Sequence, residues 1–243
     1  MAVDKPAGIH VHPPEDQKHR IAPSTNGLKI LAEQLGLHLY PVHRLDRATS
    51  GVLLYALTAA AAGELARQFR EREVLKHYVC VARGWTDEAG VIDHALAPEA
   101  PEGEATRERK ESLPSVTRYR TVARCEVPYP DREHPRSRYS LLIAEPETGR
   151  RHQLRRHFSH LAHPLIGDPI YGHGPHNRLF RDGLKLPGLL LKAQSIALTH
   201  PSSGERLEIH SRWTGVWHRV FDLFGACPRL GRTPRRSQEA LKP

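Results

Sequence analysis

The chain has 243 residues, 39% of them hydrophobic and 26% charged, an ordinary globular composition that can bury a proper core. No apolar run is long enough to cross a bilayer as a helix, and MAVDKPAGIH lacks the charged start and apolar stretch of a signal peptide, so neither a membrane-spanning nor a secreted protein is expected. Lysine and arginine exceed aspartate and glutamate by nine and the pI is about 9.7, which favours a polyanion as partner.

The first predicted element is a helix over residues 25–36, with Leu28, Leu31, Ala32 and Leu35 on its inner face and Ser24 or Thr25 as cap. The polar, turn-rich HRLDRATSG (His43 to Gly51) follows, then the apolar run Val52–Leu57, read as a buried strand. Thr58 caps a second helix, TAAAAGELARQFRE, with Leu65, Ala66 and Phe69 facing inward. KHYVCVARG is a strand closed by Gly84. Residues 97–114, rich in Pro, Glu and Arg, read as a solvated, mobile loop.

SVTRYRTVAR and RYSLLIAE are the next strands, PETG is a turn, and GRRHQLRRHFSHLA is a helix over 149–162. A Gly-rich loop at 167–174, a short strand around LLLKAQSIAL, a hairpin in LTHPSSGERLEIH and an amphipathic TGVWHRVFDLF complete the folded part. The tail 227–243, with five basic residues against one acidic, is expected to be disordered. Strands and helices mix without βαβ alternation, so the fold class is α+β, with one domain over 1–226. Cys80, Cys125 and Cys227 lack metal-ligand spacing and are odd in number, which points to a reducing cytoplasm.

Asp46 is the first candidate for chemistry. His43, Arg44 and Arg47 surround it, and a carboxylate among guanidinium groups stays ionised, as a nucleophile or base requires. An ordinary loop ion pair explains the same residues more simply. On the 149–162 helix, Arg155 borders an apolar arc of Leu154, Phe158, Leu161 and Ala162, whereas Arg156 points the opposite way, free to meet phosphate. A buried Arg155 needs a carboxylate, and Asp46 would serve; the alternative is Arg155 snorkelling to the surface.

Arg150, Arg151, Arg155 and Arg156 form one basic cluster, Arg118, Arg120 and Arg124 a second, and Arg132, Arg136 and Arg138 a third. They favour RNA or DNA as partner, a solvated basic face being the alternative. His152, His157, His160 and His163 point around most of the helix among four arginines, which argues against a metal. No nucleophile elbow, P-loop or dinucleotide fingerprint occurs. Tyr78, inside a strand, reads by itself as a packed aromatic.

HRLDRATSG, KHYVCVARG and TGRRHQLRRHFSHLAHPLIGDPIYG, in that order and after an opening DKPAGIHVH, resemble the RluA-type pseudouridine synthases from Asp4 to about His210. The segments SRYSLLIAEPETGRRHQLRRH and LTHPSSGERLEIH are most similar to the members that modify uridine 65 of tRNA. The resemblance implies a mixed, largely antiparallel sheet with flanking helices and a basic central cleft. It implies Asp46 as catalytic aspartate, Tyr78 as the tyrosine that stacks on uracil and assists loss of its C5 proton, and Arg155 as the basic partner of Asp46. Arg44 resembles the residue that fills the gap left by the extruded base; His43, Arg47 and Arg156 are further candidate RNA contacts.

The same resemblance implies no cofactor and no metal, with tRNA as substrate for a cytoplasmic monomer. Relatives carry a strand before the opening motif, and those acting on rRNA often add a small N-terminal RNA-binding module, for which there is no room here. The alternatives are another tRNA or large-subunit rRNA site, and, in a different class, a non-catalytic RNA-binding protein.

Overall fold

The structure is a computed structural model that describes residues 1–11, 25–99, 111–131 and 134–228. Its centre is a nine-stranded sheet, counted among the described residues: β1 (Ala2–Lys5), β2 (Tyr40–Pro41), β3 (Ser50–Ala56), β4 (Leu75–Arg83), β5 (Ala89–Asp93), β6 (Val116–Val127), β7 (Ser137–Pro146), β8 (Leu191–Thr199) and β9 (Arg206–His210). The main order is β1-β3-β8-β4-β7-β6-β5, with β2 beside β3 and β9 beside β8. Only the β3–β8 pair is parallel among these strands. The helices are α1 (Gly27–Leu35), α2 (Ala59–Arg70), α3 (Gln153–His160), α4 (Gly174–Arg178) and α5 (Gly215–Phe224), with a π-helical turn Leu179–Gly183 after α4.

Strand alternation builds two cores back to back. Val79 and Val81 of β4 and Tyr139, Leu141 and Ile143 of β7 face Phe180 and the Trp217, Val220 and Phe221 side of α5. Cys80, Ala82, Leu142 and Ala144, one residue out of phase, face Leu154 and Phe158 of α3. β3 is apolar from Val52 to Ala56 because both its faces are covered there. Val52, Leu54 and Ala56 pack with Leu65 of α2, while Leu53 and Tyr55 pack with Leu28 and Leu31 of α1.

The sheet forks beside β8. At Lys192 and Ala193 its neighbour is β3, in register with Ser50 and Gly51, and from Ser195 onward its neighbour is β9. Gly51 makes the junction possible: its φ is +115°, and a Cβ there would lie 2.1 Å from the Ala193 carbonyl oxygen. The segment 43–49 feeds into β3 at this fork.

Several boundaries differ from the sequence reading. The first helix is capped by Asn26, whose side chain accepts from the Lys29 N–H; Ser24 lies outside the described residues. Leu35 and Leu57 are 46% and 50% exposed, so neither belongs to the core. In α2 the inward position after Leu65 is Gln68, not Ala66, which is exposed. The Gln68 amide donates to the Thr199 carbonyl at 2.9 Å and accepts from the Thr199 N–H at 3.0 Å, tying the helix to the end of β8.

α3 starts at Gln153 rather than 149, since His152 has φ +53° and the side-chain oxygen of Gln153 gathers the Thr148 hydroxyl and the Arg150 N–H. The Gly-rich stretch holds α4 at its end, and the strand around LLLKAQSIAL runs nine residues. Residues 100–110 of the expected 97–114 loop, Arg132, and the tail from 229 onward lie outside the described residues. No helix of the described residues is long and apolar enough to cross a membrane.

Candidate active site

The loop 43–49 is held from behind, which leaves Asp46 facing a cleft. His43 Nε2 accepts the Leu54 N–H at 2.9 Å, and the ring stacks on Phe69 with centroids 5.0 Å apart. A backbone N–H only donates, so this nitrogen carries a lone pair and the ring is neutral. Burial, helped by the charge of Lys76, pushes the imidazole down to about 3. Lys5 of β1 donates its ammonium to the carbonyls of Pro6, Ile9 and Arg47. Arg47 Nε reaches the Gly8 carbonyl at 3.1 Å, and the Gly8 N–H returns a bond to the Arg47 carbonyl at 2.8 Å. His43 and Arg47, expected as substrate contacts, are thus engaged in shaping the loop. The Asp46 side chain keeps 24% of its surface exposed.

Arg155 comes from the first turn of α3 and is buried, with 4% of its side chain exposed. Its Nη1 donates to Asp46 Oδ2 at 3.4 Å, across 109 residues of sequence. Its shorter bonds go elsewhere: Nε and Nη2 meet the two oxygens of Asp168 at 2.7 and 2.8 Å. Asp168 is fully buried and also accepts the N–H groups of Ile170 and Tyr171. Burial works to raise its pKa, yet the Arg155 guanidinium and these two N–H donors outweigh it and hold the carboxyl below its ordinary range. The ring of Tyr171 lies against the guanidinium, 5.1 Å from Cζ to centroid.

Asp46, Tyr78 and Arg155 line one cavity of about 670 Å³, with Leu45 and Leu191 among its apolar walls. That volume falls in the range of small-ligand sites. Tyr78 sits at a β-bulge where β4 shifts register against β8. Burial, and then the negative charge of Asp46, raises its phenol well above the ordinary tyrosine value, so it is a neutral ring and hydroxyl at neutral pH. Lys76, two residues before it, donates to the Thr148 carbonyl at 3.3 Å, and burial lowers its ammonium to about 8.

The mouth of the cavity carries Arg44, Arg70 and Arg72, all exposed and without an acidic partner among the described residues. Other arginines that the sequence groups together are already paired. Arg118 holds Glu147 at 2.6 Å, Arg124 holds Glu88 at 2.6 Å, and Arg136 and Arg138 hold Glu126 at 3.2 and 3.1 Å. Arg156 does not point freely into solvent. Its Nη1 donates to the Ala97 carbonyl at 2.9 Å, and its Nε lies 3.5 Å from Glu99, which also takes His152, Arg151 and the Tyr171 hydroxyl.

The helix histidines diverge: His157 bonds Thr117 and the His94 carbonyl, His160 stacks on His94, and His163 bonds the Arg83 carbonyl. Sequence reasoning missed Asp168, Tyr171, Lys5 and Glu99. The signal for Asp168 was present in GDPIYG, where a lone carboxylate sits beside a turn glycine.

Residues 1–160 match the family described as RNA pseudouridylate synthase. The tRNA pseudouridine synthase C of Vibrio vulnificus (strain CMCP6) is 39% identical over 226 residues, spanning 92% of this chain and 91% of that protein. Among solved structures, Human RNA Pseudouridylate Synthase Domain Containing 1 aligns at TM-score 0.65 and 27% identity, covering 87% of this chain and 78% of that one. Human RNA Pseudouridylate Synthase Domain Containing 4 aligns at TM-score 0.69 and 21% identity over 94% and 91%, a likeness of fold.

Proposed function

The chain belongs to the RNA pseudouridylate synthase family, and from that membership we propose that it isomerises uridine to pseudouridine in tRNA, at position 65. The observation that carries the reading is one cavity holding the Asp46 carboxylate, the neutral Tyr78 ring and an Arg155 guanidinium 3.4 Å from Asp46. Similarity to the tRNA pseudouridine synthase C of Vibrio vulnificus supports tRNA as the substrate.

In this isomerisation the N1–C1′ bond breaks, the uracil turns, and C5 bonds to C1′. The proton on C5 leaves and N1 gains one, so no atom or electron is added and no redox or phosphate-transfer equipment is needed. Asp46 acts on the sugar, either attacking C1′ or taking the C2′ proton to give a glycal; both routes use the same ionised oxygen. Arg155, 3.4 Å away, aims that oxygen. Tyr78 stacks on the uracil as a neutral phenol, and the apolar walls around Leu45 and Leu191 take the base out of water.

A uridine in folded tRNA must first leave its stack, which costs a few kcal/mol that contacts elsewhere offset. Arg44, Arg70 and Arg72 at the cavity mouth carry the positive charge for phosphate contacts, with Arg44 filling the vacated place of the base. The enzyme works as a cytoplasmic monomer, in keeping with its three free cysteines. Incubating the purified protein with unmodified tRNA transcript and mapping pseudouridine by carbodiimide and reverse transcription tests the assignment. A single new stop at position 65, absent from a transcript with cytidine there, is expected; modification elsewhere in tRNA or only in rRNA would refute the site.

A further inference from the structure

We infer that Arg151, His152, Arg156 and Tyr171 form a binding site for one backbone phosphate flanking the extruded nucleotide, and that Glu99 occupies this site in the free protein and leaves it when RNA binds. The inference rests on the reading of the protein as an enzyme that acts on tRNA.

Two donors face each oxygen of the Glu99 carboxylate. Arg156 Nε, at 3.5 Å, and the Tyr171 hydroxyl face Oε1. Arg151 Nε, at 3.5 Å, and His152 Nδ1, at 2.9 Å, face Oε2. Burial, and then the Glu99 charge, hold the Tyr171 phenol above its ordinary range, so it stands there as a donor. These donors are placed by structure that does not depend on Glu99: the start of α3, and the 167–172 turn, where Asp168 accepts the Tyr171 N–H at 3.1 Å. A phosphodiester presents two free oxygens and one negative charge, as a carboxylate does, so the same four donors suit it. Two guanidinium groups around one carboxylate leave this set with positive charge in excess. Arg118 and Arg124 differ, since each meets its own glutamate on the sheet.

Position identifies the anion. Arg151 and His152 also line the cavity that holds Asp46 and Tyr78, and the Tyr171 ring lies against the Arg155 guanidinium. A nucleotide whose base enters that cavity brings its own phosphates to this rim. Glu99, for its part, is held chiefly through its side chain. The preceding chain is anchored at Leu96, which exchanges backbone bonds with Leu113 at 2.9 and 3.0 Å, and at the Ala97 carbonyl, which accepts Arg156 Nη1 at 2.9 Å. Among the described residues no backbone–backbone hydrogen bond ties Pro98 or Glu99 to the fold. Replacing the carboxylate therefore requires no helix or strand to open. Seated there, Glu99 keeps the donors paired in the free protein, and RNA gains the site only by placing a phosphate in it.

The test is tRNA binding by fluorescence anisotropy, with unmodified tRNA and with semisynthetic tRNA carrying a neutral methylphosphonate on the 5′ or the 3′ side of the target uridine. Glu99→Gln should bind unmodified tRNA about threefold to thirtyfold more tightly than wild type, because the competing charge is gone. One of the two methylphosphonates should weaken wild-type binding and abolish that gain. Equal or weaker binding by Glu99→Gln would make Glu99 a fixed strut of the fold, and a gain that survives both methylphosphonates would make it a mere change of net charge; either overturns the inference. Arg156→Ala serves if the Glu99→Gln protein does not fold. It should lower affinity and reduce the log–log salt slope by about 0.7 to 0.9 on unmodified tRNA, and have little effect on the RNA with the decisive methylphosphonate. A loss of equal size on all three RNAs refutes the site. Wild-type protein that forms no pseudouridine in tRNA would instead refute the reading of the function.

Discussion

Replacing His43 with glutamine should flatten the acid side of the stability curve. In the folded protein His43 Nε2 accepts the Leu54 N–H, and burial with the nearby Lys76 charge holds the ring neutral down to about 3. In the unfolded chain the same ring titrates near 6.5. Between those values the unfolded state takes up a proton that the folded state refuses, so stability falls as pH falls through 6.5 and stops falling near 3. From pH 7 to pH 5 this one group should cost about 2 kcal/mol.

The glutamine carbonyl can accept the same N–H without titrating, at the cost of the Phe69 stacking, which is about 0.5–1.5 kcal/mol at every pH. His176, also buried and lowered to about 4, contributes equally to both proteins and cancels. Urea denaturation of wild type and His43→Gln at both pH values provides the comparison, with tRNA affinity as a control that should stay within about twofold. Equal losses of stability between pH 7 and pH 5 in the two proteins would refute the neutral-acceptor account of His43.

Gly51→Ala should destabilise by about 3 kcal/mol or more, because it joins an unfavourable φ to a clash with fixed backbone, and thermal unfolding reads it directly; a melting point within a few degrees of wild type would contradict the tight β3–β8 junction. Arg70→Ala and Arg72→Ala should each reduce the log–log salt slope of tRNA binding by about 0.7 to 0.9, whereas Arg124→Ala, whose charge already answers Glu88, should leave it nearly unchanged. Fluorescence anisotropy over a salt series distinguishes the two groups, and equal slopes in all three variants would show that intramolecular pairing does not decide which arginines meet RNA.

The elements most legible in the sequence were those whose signal is apolar and local. The continuous run before Leu57 became β3, buried between α1 and α2, and Thr58 caps α2 as its type suggests. The arc on α3 put Arg155 at the border of the buried face, since a helix face can be computed from spacing alone, whereas Asp46 as its partner across 109 residues followed from the family resemblance. What stayed hidden was polar and non-local. Gln68 is buried because a strand end needs its amide, and hydrophobic periodicity cannot see that. Gln153 delays the start of α3 by collecting donors from the preceding turn. The arginine rows look free in sequence because their acids, Glu88, Glu126 and Glu147, arrive from elsewhere in the chain. Asp168 was masked by its neighbours, since glycine spacing drew attention to phosphate loops rather than to the carboxylate between them.

The central claim is that Asp46 performs the chemistry, and Asp46→Asn tests it most directly. Asparagine keeps the shape and a hydrogen-bond acceptor for Arg155 but removes the ionised oxygen. Tritium release from C5-labelled uridine in tRNA, in single turnover with excess enzyme, reports the isomerisation, while tRNA affinity and thermal unfolding report binding and fold. The account predicts release at background, with affinity and melting nearly unchanged; a loop ion pair of a partly exposed carboxylate is worth only about 0–1 kcal/mol of stability. Substantial tritium release from the Asp46→Asn protein would contradict the account.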